Sequence, residues 1–287
     1  MDAFSYKLGD TGTVLNPNDT SVLPFVDITK VSGLDSPEFR TTERDHEGTD
    51  GGFLDAEFEK MRTLTLEGQV IGGSDAVEAL LDQLKANWAP RRTSIPFYYS
   101  HPGASDRVIF VKPLGVRFDY DTLRRIGSCD VQFMCQAEDP RIYDAVLQTL
   151  NLAQGAAITT GIAFSLDLAA PGFSFGAAAD PNQTNVYNGG NRPSPAVITI
   201  PGPVTNPIIY NDTTSNVLQF QIDVAGGDSL VIDLAYRTVK LNGSVSRRAT
   251  LLAPDWFLLQ PGDNFLRYRA NTVGGTAATV AFRNAWR

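Results

Sequence analysis

The stretch Trp256–Arg269, WFLLQPGDNFLRYR, is a dense apolar run that breaks at Pro261-Gly262-Asp263-Asn264 and restarts as an alternating one. Apolar and polar residues alternating in steps of two mark a half-buried strand. The expected structure is two neighbouring strands joined by a tight turn, their apolar faces filling a sandwich. One acid is the only reactive side chain nearby. A catalytic loop on a sandwich and a rigid hairpin in a building block both fit, and the surrounding sequence has to decide.

Around this stretch the second half of the chain repeats short strand patterns every 8–12 residues. They are ITTGIAFSLDL, AVITIPG, PIIYN, VLQFQIDV, SLVIDLA, TVKLNG, WFLL, FLRYRA and ATVAFRNAW. VLQFQIDV alternates cleanly, with Leu218, Phe220, Ile222 and Val224 inward and Gln219, Gln221 and Asp223 outward. Asn211-Asp212, Gly226-Gly227-Asp228, Asn242-Gly243 and Gly274-Gly275 supply turn chemistry between the runs. Such spacing is the signature of an antiparallel sandwich or jelly roll.

The first half mixes strands with one helix. SDAVEALLDQLKANWAP predicts a helix over 74–88, with Ser74 as cap, acids at Asp75 and Glu78 near its positive end, and Pro90 beyond it. Val77, Leu80, Leu81, Leu84 and Trp88 share one face, so the helix lies on a sheet. MRTLTLEGQVI reads as a strand broken at Gly68, and RVIFVKPLGVRFDYD and RRIGSCDVQFMCQ as strands joined near Tyr120–Arg124. Cys129 and Cys135 fall on one face of the last of these, roughly 20 Å apart along a strand. That is too far for a mutual disulfide, so both are expected as buried thiols. The polar, acidic stretch 35–59 reads as a long loop or an arm that orders against a partner. DPRIYDAVLQTL fits a helix opened by Pro140 or a strand leaving the domain. Composition turns small and uncharged near 151–160, which places the expected domains at 1–155 and 156–287.

Residues 1–155 hold 15 Lys/Arg against 24 Asp/Glu, whereas residues 156–287 are nearly balanced. An acidic first half argues against broad adhesion to nucleic acid or anionic lipid, which both require cationic neutralisation of phosphate. No apolar run reaches the ~18 residues a bilayer span needs, so no membrane insertion is expected. MDAFSYKLGD lacks the basic and apolar regions of a secretory signal. The protein is therefore expected to be made in a cytoplasm.

Chemistry is hard to find. GFSFG at Gly172–Gly176 matches the nucleophile-elbow pattern, but no helix-forming run follows it and no histidine lies downstream. His46 and His101 have no His or Cys partner at ligand spacing, so neither a metal nor a cofactor is expected. No phosphate-cradling glycine motif is present. Trp256, Tyr236 and Tyr268 are candidate sugar platforms, with core packing as the competing fate of each.

The order of several pieces resembles the siphophage distal tail protein family. They are Gly202 with Asn206-Pro207, Gly227-Asp228 leading into Val231-Ile232-Asp233, Arg237-Thr238-Val239 with Asn242-Gly243, and Trp256-Phe257 with Pro261-Gly262-Asp263-Asn264. The likeness is closest from about 186 to 282. It is looser from 50 to 143, through Asp50-Gly51, Arg62–Leu66, the helix and VQFMCQAEDPRIY.

That resemblance implies a mainly β chain: an N-terminal split β-barrel-like domain with one packed helix and a C-terminal galectin-like antiparallel β-sandwich. It implies a structural virion protein, a homohexameric ring at the distal end of the tail. The ring would join the tail tube protein to the tail-tip hub and support receptor-binding or side-fibre proteins, with no catalytic residues. A wall around a DNA conduit works best when it does not bind phosphate. Glu43, Asp45, Glu47, Asp50, Asp55, Glu57 and Glu59 are accordingly the candidates to face the lumen or the adjoining tube ring. A ring with all seven on its outer rim would refute that assignment. The alternatives are a carbohydrate-binding sandwich recognising cell-wall glycans and, more remotely, a hydrolase built from scattered carboxylates.

Overall fold

The computed structural model describes residues 4–17, 19–41, 43–46, 48–50, 52–54, 58–72, 74–120, 128–155, 182–271 and 276–287. The chain forms two compact units, Met1–Val146 with Trp286–Arg287, and Leu147–Ala285. It is mainly β. The boundary between Val146 and Leu147 lies ahead of the small-residue run where composition changes.

The first unit opens with β1 (Tyr6–Leu8), β2 (Val14–Leu15) and β3 (Phe25–Ser32). Four short strands follow: β4 (Phe39–Arg40), β5 (Glu43–Asp45), β6 (Gly52–Leu54) and β7 (Phe58–Glu59). Then come β8 (Arg62–Ile71), α1 (Ser74–Asn87), β9 (Ile95–Tyr99), β10 (Arg107–Phe118), β11 (Ser128–Ala137) and β12 (Ile142–Asp144). One antiparallel sheet runs β2-β1-β9-β10-β11-β8-β3, with β12 beside β10. It does not close as a ladder. Its two ends meet through one hydrogen bond, from Asn16 N just after β2 to Val26 O on β3 at 2.7 Å. That arrangement is the expected split barrel.

The helix seals the barrel's core. Val77, Leu80, Leu81 and Leu84 are all buried, and Trp88 packs its ring 4.7 Å from Phe133. Each such side chain contributes on the order of 1.5–3 kcal/mol of burial. Cys129 and Cys135 are free buried thiols on the same face as Val131 and Phe133. Gly68, by contrast, does not break its strand: β8 is continuous through it. A Cβ at Gly68 would lie 2.0 Å from Asp27 O. The glycine therefore marks the close approach of β3, whose pairing shifts between Ile28 and Lys30 at that point.

Two more readings change. Asp139-Pro140 opens no helix, because the Asp139 carboxylate accepts from Arg141 N at 3.1 Å and from Tyr143 Oη at 2.6 Å, and turns the chain into β12. The stretch 35–59 is neither a plain loop nor an arm without structure. Phe39 pairs with Glu59 and Arg40 with Phe58, and Glu43–Asp45 pair with Leu54–Gly52. The result is one long hairpin whose register shifts by a residue between its two halves.

The second unit contains β13 (Gln148–Leu152), β14 (Gln183–Asn188), β15 (Ala196–Pro201), β16 (Val204–Thr205), β17 (Ile208–Asn211), β18 (Asn216–Phe220) and β19 (Asp223–Val224). It continues with β20 (Ser229–Asp233), β21 (Thr238–Leu241), β22 (Val245–Ser246), β23 (Leu251–Pro254), β24 (Gly262–Arg269) and β25 (Ala278–Phe282). Two sheets, β13-β25-β15-β20-β21-β22 and β14-β24-β17-β18-β23, share one core. Ile198, Ile232 and Val280 from the first meet Leu218, Phe220 and Leu266 from the second. This is an antiparallel sandwich. Asn242 and Gly243 take φ values of 51° and 69°, the left-handed pair that a tight hairpin between β21 and β22 needs.

The WFLL segment is not a strand. Leu259 alone makes an isolated bridge, to Ser194, with both backbone hydrogen bonds at 2.8 Å. Nor are Gly262, Asp263 and Asn264 a turn: they begin β24 and pair with β14. The bend ahead of them, at Gln260-Pro261, is held by Asn264, fully buried, whose side-chain amide accepts from Gln260 N and donates to Gln260 O, both at 2.7 Å. A side chain substitutes there for the partner strand. ITTGIAFSLDL, the GFSFG pattern and Gly274-Gly275 lie outside the described residues.

Candidate functional site

The hairpin arm carries the acidic candidates. Glu43 and Asp45 lie on β5, paired with Leu54 and Gly52. Asp50 is exposed near the tip. Glu47, Asp55 and Glu57 lie outside the described residues. Glu59 is set apart from the others: it sits at the base of the arm on β7, its side chain only 10% exposed, with Oε1 3.8 Å from Arg287 Nε.

Cations dominate that base. Arg62 is 2% exposed and donates to Pro140 O at 3.0 Å, to Gly33 O at 2.7 Å and to Asp35 O. Burial pushes its pKa down, and the nearby Tyr99, Glu59 and Asp35 offset part of that. Arg287 lies over the Phe39 ring at 4.8 Å, and Arg40 over the Phe58 ring at 5.7 Å. The arm is thus anchored by guanidinium groups at its base and, among the described residues, carries Glu43, Asp45 and Asp50 farther out.

The chain's last residues complete the first unit. Trp286 stacks under Arg107, with the guanidinium carbon 3.9 Å from the ring centroid, and its Nε1 donates to Asp144 Oδ1 at 2.9 Å. The same carboxylate receives Arg107 Nη1 at 2.7 Å and Ser105 Oγ at 3.0 Å. Sequence reading missed Arg62, Trp286 and Arg287, because nothing local distinguishes them from surface arginines and a terminal aromatic.

The three sugar-platform candidates separate. Tyr268 is wholly buried, and burial pushes its hydroxyl up to about 12. Trp256 is half-buried against the core, with Arg248 5.4 Å from its ring. Only Tyr236 is exposed, after β20. His101 is framed by ring edges of Phe4 and Tyr99, at 5.7 and 5.3 Å. Among the described residues no cluster of three or more His, Cys, Asp or Glu side chains is arranged to hold a metal ion. No helix among them is long and apolar enough to cross a membrane.

Residues 189–286 match the family model described as "Siphovirus-type tail component, C-terminal domain". The matched stretch takes in the sandwich strands from β15 onward and leaves out β13 and β14. The whole chain has the fold of the SPP1 Dit (gp 19.1) protein, described as "a Paradigm of Hub Adsorption Apparatus in Gram-positive Infecting Phages". That likeness has a TM-score of 0.66 at 15% identity and covers 99% of this chain and 100% of that one. A chain of the phage P2 baseplate in its activated conformation with Ca matches at TM-score 0.53 and 9% identity, over 98% and 97% of the two chains. Its counterpart with Sr matches at TM-score 0.54 and 8% identity, over 97% of each. Among curated proteins no sequence matches. At these identities the structural likeness speaks to fold. It extends that fold through the first unit, which the tail-component domain does not include.

Proposed function

We propose that this chain is a distal tail hub: a homohexameric ring at the far end of a phage tail, between the tail tube and the tail-tip hub. The observation that carries the reading is the tail-component match over residues 189–286, set within a full-length fold likeness to a hub adsorption protein. The split barrel, with its two strand edges and its anchored arm, is the ring-forming unit in this reading. Closed rings bury such edges against neighbouring copies. The sandwich faces outward and supports receptor-binding or side-fibre proteins. Its role is structural rather than catalytic, and assembly takes place in the host cytoplasm.

The acids towards the arm's tip face the lumen or the adjoining tube ring, where they keep phosphate from adhering. Glu59 has a different part, pairing with Arg287 at the arm's base.

Immunogold electron microscopy of intact tails with an antibody against the chain tests the placement. Label at the distal end is expected. Label along the tube or on the capsid would refute the reading.

A further inference from the structure

The outward face of the sheet β14-β24-β17 carries a diagonal row of aromatic rings. Tyr187 and Phe265 are 59% and 39% exposed, although both sit in regular, well-paired strands. Asn185 lies opposite Phe265 and Tyr187 opposite Asp263, so the two rings are diagonal neighbours across adjacent strands. Tyr210 lies opposite Arg267 on the other side of β24, diagonal again to Phe265. Three strands, spaced about 4.8 Å apart, therefore place three rings in sequence, two of them exposed and the third, Tyr210, half-buried beneath Arg267.

Fixed polar pairs flank the rings. Arg267 holds Asp212 with two bonds of 2.6 Å, Gln183 Nε2 reaches the same carboxylate at 2.9 Å, and the guanidinium lies 4.9 Å over Tyr210. Asn185 Nδ2 donates to Asp263 Oδ1 at 2.7 Å. These contacts lock the side chains in place before any ligand arrives, which lowers the ordering cost of binding. Two carboxylates are balanced by Arg267 and Arg269 on the same strand face, so the surface is polar and near neutral in charge.

We propose that this face binds a neutral oligosaccharide. Sugar rings offer apolar C–H faces that stack on aromatics and hydroxyls that bond to fixed carboxylates, amides and guanidinium groups. A row of rings on successive strands suits a chain of sugar units. An anionic polymer or nucleic acid would need a cationic surface, which this face lacks. A purely apolar protein patch would not need the locked Asp212–Arg267 and Asn185–Asp263 pairs.

The full chain is titrated by calorimetry with chitohexaose, cellohexaose and a linear galactan oligosaccharide. Tyr187→Ala and Phe265→Ala are run alongside, with Tyr236→Ala as an exposed aromatic outside the row. Each of the first two is expected to weaken binding about tenfold or more, as truncation of an interface aromatic does. Tyr236→Ala leaves binding unchanged, and so does raising the salt. Circular dichroism confirms that each variant is folded. No binding of any of the three sugars by the full chain overturns the proposal, as does binding that neither row variant weakens. Tails that lose a fibre protein through these variants, without sugar binding, would assign the face to a protein partner and overturn it equally. Ring formation is read separately, so failure here leaves the hub reading untouched.

Discussion

Arg62 is the residue on which the first unit's loops converge. One nearly inaccessible guanidinium serves three carbonyls, those of Gly33 and Asp35 on one segment and that of Pro140 on another. Arg62→Met would keep most of the apolar volume and leave those carbonyls unpaired. The expected loss is about 2–4 kcal/mol, measured by urea unfolding, and no change in unfolding midpoint would contradict the role. Cys135 makes a second residue-scale prediction. Burial pushes its thiol up to about 12, so it should resist alkylation at pH 8 in the native protein and react at once in denaturant. The linkage has a definite sign. The folded pKa lies above the unfolded one, so the contribution is complete below about pH 8.5 and is lost as pH rises towards 12. Tyr268 adds the same sign from its ordinary value upward. Stability should fall on the alkaline side of pH 9, by up to roughly 1.4 kcal/mol per pH unit for each such group. A flat alkaline limb in a pH series of unfolding free energies would count against this burial.

Among elements, the arm and the C-terminal segment are each fastened to the first unit by arginine contacts. Deleting Trp286–Arg287 removes the indole stacked on Arg107 and its bond to Asp144, and also the cation beside Glu59 and Phe39. The first unit should lose about 2–4 kcal/mol, while the sandwich keeps its own transition. Unfolding followed by hydrogen exchange distinguishes the two, and equal loss of protection in both units would contradict the assignment. The helix and the strand through Leu218 and Phe220 were legible in the sequence because one face of each is buried, although the single strand expected to run to Val224 is split after Phe220 into β18 and β19, which pair in different sheets. The arm was not. Its strands are two or three residues long, too short for an apolar alternation to mark them. WFLL misled for the opposite reason: Phe257 and Leu259 are buried, yet only Leu259 makes a bridge to another segment. Gly68 looked like a break because sequence cannot reveal how closely β3 approaches. The candidate site was legible only as composition. The acidic excess could be counted, whereas the separation of Glu59 from the arm's other acids depends on Arg287, far away in sequence. The exposed Tyr187 and Phe265 occupy outward strand positions that were readable, but nothing local told them apart from rings that pack.

At the scale of the whole molecule, the account rests on a division of labour. In the proposed hub, the split barrel with its anchored arm is the part that assembles with copies of itself, and the sandwich is the part that meets the outside. The acids near the arm's tip belong to this scale, because one chain has no lumen. Replacing Glu43, Asp45 and Asp50 with lysine should leave each chain folded and make assembled rings retain DNA at low salt. A filter-binding comparison with the parent protein checks it, and identical retention would remove the acids from the inner wall. The most direct test of the central claim is the solution mass by light scattering, with negative-stain images of the same fraction, measured alone and after mixing with the tail tube protein. The account predicts six times the 31.1 kDa chain mass and six-fold rings with an open centre. A chain that stays monomeric even with the tube protein present, or closes with another symmetry, would contradict it.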